Sequence, residues 1–259
     1  MPRSGAAWSP RSRAERDPAA SPATASTGWH DDAVLAPDLA ASHQAQWDLV
    51  RDYIASYAEQ QPVRKVTVVG NAPLHPDPAR VAEIDGSDLV FRMNSMALDD
   101  PGAPPCVGTR CHVLVLSRYA PVTPWMFQDY RRRAYLIPQA GYGLRYILHP
   151  QPYLWPSDLG TLPIPNAPVI TRLLDRLDPE HVPNEVIPTS GMISCFLAHE
   201  MFPEADMLAV GFSFLDGTQH QEWRYQSGGG SPVIEAHRLP LEAALLRSWI
   251  DDGSLRVMP

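Results

Sequence analysis

Lys65-Val66-Thr67-Val68-Val69-Gly70-Asn71 is the stretch whose reading decides the fold. Four consecutive β-branched residues run straight into a glycine without polar alternation. That pattern marks a strand buried on both faces, of the parallel kind, entering a loop. Ligands of parallel sheets commonly sit at such strand ends. There a glycine lets backbone approach closely, and an asparagine side chain offers both a donor and an acceptor. Gly-Asn is equally an ordinary tight turn, so the reading depends on what surrounds it.

Upstream, Trp47, Leu49, Val50, Tyr53, Ile54 and Tyr57 recur at spacings of three and four, which predicts a helix from His43 to about Gln60 with one apolar face. Downstream, Leu89–Arg92, His112–Leu116, Ala134–Ile137 and Met207–Val210 are short apolar strand candidates. Helical stretches are expected at Thr123–Arg133, Val169–Leu177, Gly191–Met201 and Pro240–Asp251. Strands alternating with helices predict an α/β fold: one Rossmann-like three-layer α/β/α domain with a mostly parallel sheet. The Pro-rich stretch Pro150–Pro168 reads as a long loop over the site. Residues 1–40, rich in Ala, Pro, Ser and Arg, read as a disordered tail preceding a domain over 41–259.

Composition narrows the partners. The chain has 21 basic and 29 acidic residues and a net charge of -8, which repels a phosphate backbone, and its only basic cluster, Arg131–Arg133, is short. Nucleic acid is therefore not an expected partner. Cys106, Cys111 and Cys195 cannot all pair and lack the doublet spacing of a structural zinc site. Together with the lack of a long apolar run, this predicts a soluble cytoplasmic protein with no membrane-spanning segment.

Four segments carry candidate chemistry. The first is Val68-Val69-Gly70-Asn71, with Ile84-Asp85, Asp88, Val90, Arg92-Met93-Asn94 and Val107-Gly108-Thr109-Arg110 following. The second, Pro188-Thr189-Ser190-Gly191-Met192, sets hydroxyls and a glycine at a helix N-terminus, where free N–H groups favour an anion or simply a cap. The third is Gly211-Phe212-Ser213, with His220-Gln221-Glu222-Trp223 beyond it. The fourth, His237-Arg238-Leu239-Pro240-Leu241-Glu242, places an imidazole able to act as a general base five residues before a carboxylate at a helix entry.

In this order the segments resemble the sialyltransferase family, which includes the animal Golgi enzymes and bacterial and plant relatives, with this chain of the bacterial type. The resemblance runs from Val66 to the C-terminus, about 190 of 259 residues. It implies a variant GT-A-like glycosyltransferase fold and an inverting transfer of sialic acid, or a related keto-acid sugar such as Kdo, from a CMP-activated donor. The acceptor would be a hydroxyl of a glycan, glycolipid or small glycoside. Gly70, Asn71, Asn94, Thr189, Ser190, Gly191 and Gly211 would hold the nucleotide, His237 would be the general base beside Glu242, and His220 would stabilise the departing phosphate. No metal or further cofactor is implied.

The chain departs from the family in several places. Animal members carry a disulfide whose cysteines would fall near Val66 and Phe202, and both are apolar here, in keeping with a reducing compartment. Ile187 stands where the family often has a tyrosine that reaches the phosphate; Tyr142, Tyr146 and Tyr153 are alternatives. The aromatic usual after the third-motif histidine is replaced by Gln221. The same fold also admits a CMP-sugar hydrolase or a non-catalytic nucleotide-sugar or glycan-binding module. An ordinary Rossmann-like dehydrogenase or methyltransferase fits poorly, since Gly70-Asn71-Ala72-Pro73 has one glycine where three are wanted.

Overall fold

The computed structural model describes residues 37–117, 120–138, 155–181, 185–215 and 222–259. In chain order its strands are β1 (Lys65–Val69), β2 (Leu89–Met93), β3 (Val113–Val115), β4 (Ala134–Pro138), β5 (Leu162–Ile164), β6 (Asp206–Val210), β7 (Glu222–Arg224), β8 (Gly230–Pro232) and β9 (Arg256–Met258). Seven of them form one sheet in the order β5-β4-β3-β2-β1-β6-β9, every neighbouring pair parallel. Strands β7 and β8 pair with each other as an antiparallel hairpin.

Strand β1 lies inside the sheet, with Val66 opposite Leu89 on one side and Met207 on the other. Both of its faces are covered, which is why its residues do not alternate with polar ones. Its one hydroxyl, Thr67 Oγ1, is satisfied by Ser87 Oγ at 2.7 Å in the interior. The chain travels outward from β1 through β2, β3, β4 and β5, then returns to β6 on the other side. The order therefore reverses between β1 and β6, and parallel sheets open a ligand crevice at such a reversal.

The helices are α1 (Pro37–Ala55), α2 (Pro78–Asp85), α3 (Arg172–Leu177), α4 (Ser190–Met201) and α5 (Leu239–Asp251). Helix α4 lies against β1, β2, β3 and β6. Its apolar character runs all round because every residue from Gly191 to Ala198 is buried. α1, α3 and α5 share the core on that side of the sheet. On the other side Ile84 of α2 packs with Val69, Val90, Leu208 and Val210. Val66 is buried in the α4-side cluster, Phe202 packs against it, and Cys106, Cys111 and Cys195 are free. Among the described residues no helix is long and apolar enough to cross a membrane.

Several expectations need correction. Thr123–Arg133 is not an α-helix; it is a series of turns ending in a 3-10 turn at Tyr130–Arg132. Two carbonyls that a helix would use internally accept from side chains. Arg133 donates to Trp125 O at 2.6 Å, the Tyr135 hydroxyl donates to Met126 O at 2.6 Å, and Asp129 sits at φ 52. Helix α1 begins at Pro37 and ends at Ala55, so residues 37–40 are helix rather than tail, and residues 1–36 lie outside the described set. The supposed loop over 150–168 contains edge strand β5, whose Pro163 such a position tolerates. Helix α2, with Asp77 capping Ala79 N at 2.9 Å and Pro78 opening the first turn, was not anticipated. Tyr142, Tyr146 and Tyr153 lie outside the described residues.

Candidate functional site

A cavity of about 290 Å³ opens at the carboxyl ends of β1, β2 and β6, where the strand order reverses. Two glycines let the strand ends come together. Gly70 N donates to Val210 O at 2.7 Å and Ala72 N to Gly211 O at 3.2 Å. A Cβ on Gly70 would overlap the Gly211 carbonyl, and Gly211 itself sits at φ +72. Gly70 and Gly211 therefore shape the cavity wall by close backbone approach.

The two asparagines build the wall. Asn71 Nδ2 donates to Met93 O at 2.9 Å, tying the end of β1 to the end of β2. Asn94 occupies the left-handed region at φ 45. Its Nδ2 donates to Ser190 Oγ at 3.0 Å and its Oδ1 accepts from Ser117 N at 2.8 Å, so one amide joins β2, the end of β3 and the start of α4.

Thr189 caps α4, accepting from Met192 N at 3.0 Å. The first N–H groups of a helix have no intrahelical partner and carry the positive end of its dipole; those of Ser190 and Gly191 belong to residues in the cavity wall. Gly191 has no room for a side chain, since a Cβ there would lie 3.0 Å from Phe212 Cε1 and 3.4 Å from Met93 Sδ. Behind the cap, the Thr189 N–H and hydroxyl donate to the two oxygens of Glu242 at 2.7 and 2.6 Å.

This placement corrects the role expected of Glu242. It is fully buried and absent from the cavity lining, so it fixes the Thr189 loop and does not touch a ligand. Burial pushes its carboxyl up to about 8 against the pull of the two Thr189 bonds.

His237 does line the cavity. Its Nδ1 lies 2.7 Å from the Ile187 carbonyl oxygen, which can only accept, so Nδ1 carries the proton and Nε2 carries the lone pair. Ile187 N in turn donates to Ala236 O at 2.8 Å, strapping the segment before α4 to the segment before α5. Burial holds the imidazole below its ordinary value, outweighing the Ile187 bond that favours the charged form. Burial thus favours the neutral form, in which Nε2 carries the lone pair.

His220, the other expected histidine, lies outside the described residues. The rest of the long first motif stands apart from the cavity as scaffold. Arg92 is buried and donates to Arg110 O, Ala97 O and Val107 O at 2.7, 3.1 and 2.5 Å. Asp85 receives Thr109 N and Arg110 N, while Asp99 receives Cys106 N and Gly108 N. Gly108 sits at φ +77, and a Cβ there would run into the Asp85 carboxylate. Sequence reading passed over Arg224 and Tyr225, which line the cavity from the β7–β8 hairpin; its signal is the Gly228-Gly229-Gly230 run after an aromatic alternation.

The partly polar cavity lies at the topological reversal of a parallel α/β sheet, the place where folds of this class commonly bind their ligands. Among the described residues no group of three His, Cys, Asp or Glu side chains is placed to hold a metal ion. No family model and no curated protein matches the chain. Among solved structures it is similar to a mammalian sialyltransferase in complex with Gal-beta-1-3GalNAc-ortho-nitrophenol, at 13% identity over 84% of this chain and 85% of that one, with a TM-score of 0.48. It is also similar to a further mammalian sialyltransferase structure, at 13% identity over 84% of each chain and a TM-score of 0.49.

Proposed function

We propose that the chain is an inverting, metal-independent glycosyltransferase that moves sialic acid or a related keto-acid sugar from a CMP-activated donor to a glycan or glycoside hydroxyl. The observation that carries this reading is the tautomer of His237 in the cavity wall: with Nδ1–H committed to Ile187 O, the lone pair of Nε2 is a general base. The motif order from Val66 to Glu242 supplies the substrate class. The meeting of Gly70, Asn71, Asn94, Thr189, Ser190, Gly191 and His237 around one cavity supports it, because they come from four segments well separated in sequence.

In this reading the nucleotide lies against the strand ends and the start of α4, where the Ser190 and Gly191 N–H groups favour its phosphate. The acceptor hydroxyl attacks the anomeric carbon as CMP departs from the opposite face, and His237 Nε2 receives the hydroxyl proton. One displacement inverts the centre. The test is CMP release from CMP-sialic acid by the purified chain, with and without galactoside acceptors. Acceptor-dependent release that persists in EDTA supports the proposal. Release without an acceptor would make the protein a hydrolase, and absence of both release and CMP binding would overturn the reading.

A further inference from the structure

Charge is distributed unevenly around the cavity. Its described lining residues include no lysine, no aspartate and no glutamate, and a single arginine, Arg224, although the whole chain has a net charge of -8. Arg224 is thus the one permanent charge among them. Other arginines are engaged elsewhere. Arg80, Arg92 and Arg133 donate to backbone carbonyls, and Arg131, Arg176 and Arg256 pair with carboxylates. Arg224 is exposed and has no ion-pair or side-chain hydrogen-bond partner among the described residues.

The hairpin that presents Arg224 is anchored. Gln226 N donates to Asn71 O at 2.7 Å, and Gln226 Oε1 accepts from Leu74 N at 2.8 Å. Ser227 Oγ donates to Ser95 O at 2.7 Å, and the Tyr225 and Ser231 hydroxyls lie 2.5 Å apart across the two arms. The turn passes through Gly228 and Gly229 at φ +86 and +75. The tip is thereby fastened to the loops that follow β1 and β2, so the adjoining arm carries Arg224 along the cavity wall. An arginine carried on a wall whose described lining has no carboxylate suits an anionic oxygen group of the ligand.

We propose that Arg224 binds the donor's phosphate and neutralises the charge that forms as CMP leaves, a role that rests on the glycosyltransferase reading above. It takes the part that sequence reading assigned to His220. As the acceptor oxygen bonds to the anomeric carbon, the bond from that carbon to the phosphate oxygen breaks and its electron pair stays on the phosphate. The acceptor proton goes to His237 Nε2. The phosphate passes from a singly charged diester to a monoester that gains a second negative charge, so the Arg224 contact strengthens along the reaction and acts on kcat more than on KM.

The experiment compares wild type, Arg224→Gln and Arg224→Lys, each checked for folding by circular dichroism. It measures calorimetric affinity for CMP and for cytidine, and steady-state turnover of CMP-sialic acid. Arg224→Gln is expected to weaken CMP by about tenfold to a hundredfold, the size of a lost hydrogen-bonded charge contact. Cytidine affinity should be unchanged, kcat should fall by more than KM rises, and Arg224→Lys should recover part of both losses. If folded Arg224→Gln weakens CMP and cytidine equally, or weakens neither, Arg224 is not the phosphate partner. Wild type that binds neither molecule overturns the functional reading itself, and the proposal with it.

Discussion

His237 and Glu242 are five residues apart in sequence and have opposite electrostatic fates. His237 reaches the cavity, and desolvation lowers its affinity for protons. A base must be unprotonated, so the acid limb of the kcat/KM profile should fall below the ordinary histidine value of 6.5, with rate lost as pH drops through it. A limb above that value would contradict the assignment. Glu242 holds a proton up to about 8 when folded, against an ordinary 4.5. Its contribution to stability is complete below the unfolded value and is lost as pH rises through the folded one. Glu242→Gln can accept from Thr189 N and donate to Thr189 Oγ1. Urea midpoints of the variant should therefore decline less than those of wild type between about pH 5 and pH 8.

At the scale of elements, the start of α4 concentrates the most structure in the fewest residues. Thr189 caps the helix, faces Glu242 and precedes Ser190 and Gly191, which line the cavity. Thr189→Ala removes the cap and leaves a buried carboxyl oxygen without its hydroxyl partner. The expected loss is about 2–4 kcal/mol of unfolding free energy, measured by denaturant titration. A loss under about 0.5 kcal/mol, the range of an ordinary surface change, would show that the cap is dispensable.

The same scale explains what was legible in the sequence. β1, β2, β3, β4 and β6 stand out because burial on both faces leaves unbroken apolar runs, and α4 and α5 because long apolar helices follow recognisable caps or prolines. β5 was hidden by Pro163, which only an edge strand accepts, and the β7–β8 hairpin by its short arms. Thr123–Arg133 has helix-like composition, but the competition for the Trp125 and Met126 carbonyls comes from Arg133 and Tyr135, which no local pattern reveals. Among the site residues, Gly70, Asn71, Asn94, Thr189, Ser190, Gly191, Gly211 and His237 stand out in the sequence at strand ends and helix starts, and they meet at one cavity. The depth of Glu242 was not legible, since a carboxylate in a first helical turn usually faces water.

Over the whole molecule, the reversal of strand order between β1 and β6 brings these distant segments to one place. Two tight glycine contacts and the asparagine bridges close the wall from the sheet side, and an anchored hairpin closes it from outside. An acidic chain thus holds a cavity whose described lining has no carboxylate and one arginine. The central claim is that His237 is the base in a transfer from a CMP-activated sugar. It is tested most directly by acceptor-dependent CMP release from CMP-sialic acid, compared between wild type and His237→Ala, with CMP affinity measured alongside. The account predicts turnover in wild type, loss of at least about a hundredfold in the variant, and CMP affinity within a few-fold of wild type. Full turnover by His237→Ala, or a folded variant that has lost CMP binding, would contradict it.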